Sequence, residues 1–226
     1  MTNLYSQLYA PDYTGDMFLP GISTDIIKMR RVFRGLGSKN PRVLTTASSE
    51  EIYQSICGLA AISWFRHESI LCIYFTGHGT QRPDQSGDEV DGLDEGFVSS
   101  NGIIFDDRLL QALSYFHASA KLVVIIDACH SGTLFDLEQG SVKADVVVLS
   151  ACRDAETTMD TASGGFFTNI IAPMITTDTT LQDLRDLQVR LPAGQNLSLQ
   201  SSRFHSPDHR VFSRELAFNI QTLNAP

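Results

Sequence analysis

With 226 residues, 42% of them hydrophobic and 19% charged, the chain suits one large domain or two small ones and is too apolar for a disordered segment. A formal net charge of −9 and a pI near 5.0 disfavour nucleic acid as the main partner and suit a cationic one. No apolar run approaches the roughly 20 residues that span a bilayer, and the opening MTNLYSQLYA lacks the basic region and apolar core of a secretory leader, so a cytoplasmic chain with no membrane partner is expected.

Taken in chain order, Ser23-Thr24-Asp25 reads as a helix start, with Ile26, Met29, Phe33 and Leu36 at helical spacing and Gly37 as the stop. Residues 42–45 form a short strand. Ser48-Ser49-Glu50-Glu51 offers a capping box, and Ile52, Ile56 and Leu59 then make one apolar helix face. Residues 70–75 are a strand ending in Gly77-His78-Gly79, and 80–96 read as an acidic, Gly-containing loop. Asp107 opens a helix bearing Leu109, Leu113 and Phe116. Residues 122–126 are β-branched or apolar throughout, as in a parallel strand covered on both faces, and end abruptly in Asp127-Ala128-Cys129-His130-Ser131-Gly132. A further strand, 146–149, ends at Ser150-Ala151-Cys152. In the tail, Leu181, Leu184, Leu187 and Leu191 suggest one helix, and Leu197-Ser198-Leu199 an edge strand. Strands alternating with helices, without repeats, give an α/β fold with a wound, mostly parallel sheet.

Two of these strands end in residues suited to chemistry. The strand–loop–helix–strand connection between them makes the strands parallel and sets both ends on one sheet edge, where open α/β sheets collect their ligands. A thiolate beside an imidazole is a nucleophile activated for acyl transfer. Cys129 is therefore the candidate nucleophile and His78 its base, with backbone N–H groups at Gly79 and Cys129 as oxyanion donors. A lone strand-end cysteine is more often a small buried hydrophobe and a lone histidine structural. The coincidence of both at matching strand ends brings catalysis level with that reading. His130, adjacent to the nucleophile, points elsewhere and is taken as structural. Cys57, on a helix face, and Cys72, within a strand, are core candidates. The four cysteines, Cys152 included, form no CxxC pair and suggest free thiols in a reducing compartment.

The segments YFTGHGT (74–80) and DACHSGT (127–133), with His78 and Cys129 separated by 51 positions, resemble the caspase-like clan of cysteine peptidases. Within that clan they are similar to the metacaspases and their orthocaspase relatives, of the C14 family. Segments 19–25, 87–95, 104–107, 148–158, 164–168 and 199–202 resemble further parts of the same family. The resemblance implies a monomeric caspase-like domain of three layers, α/β/α, over 1–226. Within it, 1–140 is similar to the large subunit and 141–226 to the small one. It also implies a cysteine endopeptidase acting on proteins or peptides with Arg or Lys before the cleaved bond.

Asp127 lies two residues before Cys129, so on a strand both side chains share a face, and its carboxylate can pair with a substrate cation. In metacaspases the aspartates matching Asp127 and Asp25 line that basic-residue pocket. Asp25 alone also reads as a first-turn carboxylate favoured by the helix dipole. In calcium-activated metacaspases the ligands match Asp94, Asp106, Asp107 and Asp136, whereas the orthocaspase relatives can work without calcium. Spacing alone does not fit an EF-hand and leaves a solvated acidic loop.

The chain departs from the family at three places. Only NLYSQLY (3–9) stands where an apolar first strand is usual, so that strand is expected to be weak, displaced or absent. Ile22 replaces the second cysteine of many metacaspases, and the short 136–145 connection leaves no room for an extended cleavable linker. Two other functions remain open at this point: a catalytically silent caspase-fold scaffold, and a non-proteolytic Cys-His hydrolase or acyltransferase.

Overall fold

The computed structural model describes residues 3–67, 69–85, 87, 92–128, 134–135, 137, 142–153, 163–191 and 195–213. The chain runs β1 (Leu4–Tyr9), α1 (Ile22–Gly35), β2 (Arg42–Leu44), α2 (Ser49–Phe65), β3 (Ile70–Gly77), β4 (Gly79–Pro83), β5 (Leu93–Ser99) and β6 (Gly102–Phe105). It continues through α3 (Asp106–Ser114), β7 (Lys121–Ala128), β8 (Asp145–Arg153), α4 (Phe166–Ile171), α5 (Leu181–Arg185) and β9 (Gln195–Ser201). Among the described residues, a six-stranded sheet has the order β2-β1-β3-β7-β8-β9, parallel except for β9, and β4-β5-β6 form a separate antiparallel sheet.

Strand periodicity divides the core in two. Leu71, Ile73 and Phe75 of β3, with Leu122, Val124 and Ile126 of β7, pack under α2 and α3. Their alternates Ile70, Cys72, Tyr74, Val123 and Ile125 face α1, α4 and α5. A strand buried on both faces reads as a continuous apolar run, which is why β3 and β7 stand out in the sequence. The three-layer α/β/α architecture is thus the one expected, with α2–α3 on one side and α1–α4–α5 on the other.

Local structure departs from the sequence reading at four places. β1 is present and lies inside the sheet, one strand from its edge, paired in parallel with both β2 and β3. It escapes a hydropathy reading because its polar residues are buried with partners: Ser6 Oγ lies 2.8 Å from Ser38 Oγ, and Gln7 donates to Ser55 O and accepts from the Ser55 hydroxyl. The stretch 80–96 is not simply a loop, since β4 and most of β5 fall inside it. The helix placed at 23–25 begins at Ile22, following Gly21. The leucine-rich tail splits into α5 and a 3-10 turn, Asp186–Arg190. The capping box stands as expected: the Ser48 hydroxyl accepts from Glu51 N–H at 3.3 Å, and the Glu51 carboxylate accepts from Ser48 N–H at 2.8 Å. Cys72 is fully buried and Cys57 half-buried. No helix among the described residues is long and apolar enough to cross a membrane.

Candidate active site

β3 and β7 are neighbours in parallel register, pairing Thr76 with Asp127 and Gly77 with Ala128. The next residue of the first strand is His78; the next of the second is Cys129, which lies outside the described residues, as do His130 and Asp136.

His78 is held on several sides. Its Nε2 stands 2.8 Å from the Met17 carbonyl. A carbonyl only accepts, so the neutral ring carries its proton on Nε2 and its lone pair on Nδ1. The His78 carbonyl accepts from Val98 N–H at 2.9 Å, and its N–H donates to the Tyr13 hydroxyl at 3.1 Å. Gly79 opens β4, opposite Phe97. Neither Tyr13 nor Met17 is legible as a site residue in the sequence, because both act across a turn rather than along a periodic element.

The two expected pocket carboxylates do converge. Asp25, on the first turn of α1, is buried; both its oxygens accept from Gly165 N–H, at 2.9 and 3.0 Å, and Oδ2 accepts from the Thr76 hydroxyl at 3.2 Å. Asp127 Oδ2 accepts from the Thr168 N–H at 3.0 Å and its hydroxyl at 2.6 Å. A Cβ on Gly165 would stand 2.3 Å from Asp127 Oδ2 and 3.2 Å from Asp25 Oδ2, so a glycine is what lets both carboxylates close around one backbone position. Burial, then the negative charges of Asp25 and Asp127, push the Tyr74 hydroxyl pKa well above its ordinary value; that hydroxyl bonds Thr168 Oγ1 at 2.6 Å. Gly165 and Thr168 thus hold the two carboxylates, and the sequence marks them only through the resemblance of 164–168.

Three of the expected metal ligands also come together. One oxygen each from Asp94, Asp106 and Asp107 lies within 4.8 Å of the others. Asp94 and Asp106 are buried and Asp107 is exposed. Asp106 accepts from Glu95 N–H at 2.7 Å and from Asp107 N–H at 2.8 Å. Burial raises its pKa to about 6, with the charges of Asp94 and Glu95 adding to that and the two backbone bonds opposing it. Asp94 Oδ2 already holds a cation: Arg82 Nε and Nη2 each approach it at 2.7 Å, and the guanidinium lies 3.5 Å over the Phe105 ring. Arg82 is a residue the sequence reading missed, for it sits in the stretch taken as a loop.

A parallel sheet with helices on both faces, and a histidine and a cysteine placed directly after adjacent strands, define a caspase-like α/β protein. Residues 10–200 match the family described as the caspase domain, peptidase C14. The chain belongs to that family, one of cysteine peptidases. Over 75 residues it is 43% identical to metacaspase-2 of Arabidopsis thaliana, covering 30% of this chain and 17% of the relative. Over 109 residues it is 34% identical to metacaspase-1 of Cryptococcus neoformans, covering 44% and 22%. The matches thus span about a fifth of the curated relatives' length. Among solved structures, a Geobacter sulfurreducens protein superimposes with a TM-score of 0.71 at 20% identity, over 92% of this chain and 98% of that one. Caspase-1 of Spodoptera frugiperda does so with 0.61 at 15%, over 94% and 89%. These two likenesses are of fold.

Proposed function

We propose that the chain is a metacaspase-type cysteine endopeptidase that acts as a monomer on peptides and proteins, cleaving after Arg or Lys. The observation that carries this is the register of β3 and β7, which brings the chain to His78 and to Cys129 from the same rung of the sheet. With its proton on Nε2, the neutral imidazole offers Nδ1 as the base that takes the Cys129 thiol proton. The thiolate attacks the scissile carbonyl carbon. The Gly79 and Cys129 N–H groups receive the oxyanion, and His78 returns the proton to the departing amine. Water, deprotonated by the same imidazole, then releases the acyl group from sulfur.

Specificity follows from charge. Asp25 and Asp127 set two carboxylates around Gly165, an environment that favours a guanidinium or ammonium and disfavours a third carboxylate. Fluorogenic Arg, Lys and Asp peptides test it: Arg and Lys release is expected, and preference for Asp would refute it. A silent scaffold would cleave none of them.

Calcium is the cofactor we assign to the acidic group. Its donors are hard oxygens at mutual distances a single ion can bridge, and calcium accepts six to eight such ligands at flexible geometry. Asp94, Asp106 and Asp107 would hold it, with Asp136 as the fourth carboxylate. Bound there, calcium supplies the charge neutralisation that this group otherwise draws from Arg82. Hydrolysis in millimolar calcium should exceed that in chelator, and Asp106→Ala should erase the difference. Full activity in chelator, unchanged by that substitution, would leave the group a structural feature of the β5–α3 region.

A further inference from the structure

We propose that Tyr13 is a positioning residue for His78, its hydroxyl serving as an inserted rung between the histidine backbone and Val98. The proposal rests on His78 being the general base.

β4 pairs with β5 from Gly79 opposite Phe97, so the next position along the ladder sets His78 opposite Val98. One half of that pair is direct: Val98 N–H donates to His78 O at 2.9 Å. The other half is bridged. The Tyr13 hydroxyl donates its proton to Val98 O at 2.6 Å and accepts from His78 N–H at 3.1 Å. A hydroxyl has one proton and two lone pairs, and two backbone partners of opposite sense use both kinds of site. Both peptide groups of His78 are thereby tied to one residue of β5.

The room for this hydroxyl is built into the strand. Gly77 has φ +150°, and a Cβ there would stand 2.5 Å from Tyr13 Oη. Glycine is thus required both for the backbone conformation and for the approach of the phenol. The Tyr13 ring meets the imidazole edge-on, with centroids 4.7 Å apart and planes at 60°. Together with the Met17 carbonyl on Nε2, the ring limits rotation of the imidazole about its χ angles. Tyr13 is itself buried beside Ala10 and Ile22, so the clamp is anchored in packing rather than on a mobile side chain. Burial also raises the phenol pKa, so the hydroxyl keeps the proton that it donates to the Val98 carbonyl.

The expected consequence is loss of alignment without loss of fold. Tyr13→Phe keeps the ring and removes both hydrogen bonds, and misplacement of a catalytic group by about 1 Å costs on the order of 100-fold in rate. In this variant kcat should fall at least about tenfold, with KM changed less than about twofold. Alkylation of Cys129 by iodoacetamide, followed on its own peptide by mass spectrometry, should slow in parallel, since it depends on the same imidazole. Thermal unfolding shows whether the variant is folded. Should Tyr13→Phe unfold, Gly77→Ala displaces the hydroxyl from the other side, and wild-type kcat and alkylation rate in that variant would equally overturn the proposal. Folded Tyr13→Phe with wild-type kcat and alkylation rate would overturn the proposal, as would a change confined to KM. His78→Ala separates the two levels: if it keeps full activity, the reading of His78 as base falls and the positioning role with it. If it is inactive while Tyr13→Phe is unaffected, only the role of Tyr13 falls.

Discussion

Asp94 and Asp127 carry different burdens although both are buried carboxylates. Asp127 accepts two hydrogen bonds from Thr168, so its removal leaves two donors without an acceptor. Each buried donor so stranded costs about 1–3 kcal/mol. Asp127→Ala should therefore lower stability by a few kcal/mol as well as turnover of Arg peptides, measurable by denaturant unfolding beside kinetics. The sequence leads to the proposed pairing of this carboxylate with a substrate cation but is silent about its bonds to Thr168, which lies 41 positions away. Asp94 is instead neutralised by Arg82. A calcium ion there must compete with that guanidinium, so Arg82→Gln should bind calcium several-fold more tightly in calorimetry. Equal or weaker binding would mean that arginine and metal do not share the carboxylate.

At the scale of elements, α2 offers a test with a known magnitude. Ser48 and Glu51 satisfy each other's backbone donors, and loss of such an N-cap costs about 1 kcal/mol. Ser48→Ala should lower unfolding stability by that amount, read by denaturant unfolding. The elements legible in the sequence are those whose apolar pattern decides their burial: β3, β7, β8, and the amphipathic faces of α1 and α2. β1 is illegible for a physical reason. Ser6 and Gln7 are buried by pairing with Ser38 and Ser55, residues 32 and 48 positions away, and no local pattern reports a partner at that distance. β5 is obscured likewise, since Asp94 and Glu95 are buried inside the strand, answered by Arg82 and Gln81 of β4. The strand-end location of His78 was legible because it needs only the strand; its support by Tyr13 and Met17 was not, because it needs the fold.

Across the whole molecule, the edge opposite His78 holds its own polar group. Lys121 opens β7 and Asp145 opens β8; Asp145 Oδ1 lies 2.8 Å from His205 Nε2, and Lys121 Nζ lies 2.9 Å from His209 Nε2, with the two rings stacked at 4.1 Å. This network ties residues 205–210 to the sheet. Burial, then the Lys121 charge, push the His209 pKa down to about 4, from an ordinary 6.5. A histidine whose folded pKa is depressed binds fewer protons than the unfolded chain between those values. Its stabilising contribution is thus complete above about pH 6.5 and lost as the pH falls towards 4. Asp106, raised from 3.8 to about 6, acts with the opposite sign over nearly the same range, favouring the folded state most at the acid end. Comparison with His209→Gln isolates the first effect: stability of the wild type relative to this variant should decline from pH 6.5 to pH 4. A constant difference would show that His209 titrates alike in both states.

The proposed function is chemistry at two residues reached from one rung of a parallel sheet, with acidic residues selecting a basic side chain beside them. Its most direct test is hydrolysis of matched fluorogenic Arg, Lys and Asp peptides by the wild type and by Cys129→Ala. Release is expected from Arg and Lys peptides and none from Asp, with loss of all release in a Cys129→Ala protein that still folds. Retention of most activity by that variant, free of contaminating protease, or preference for Asp, would contradict it.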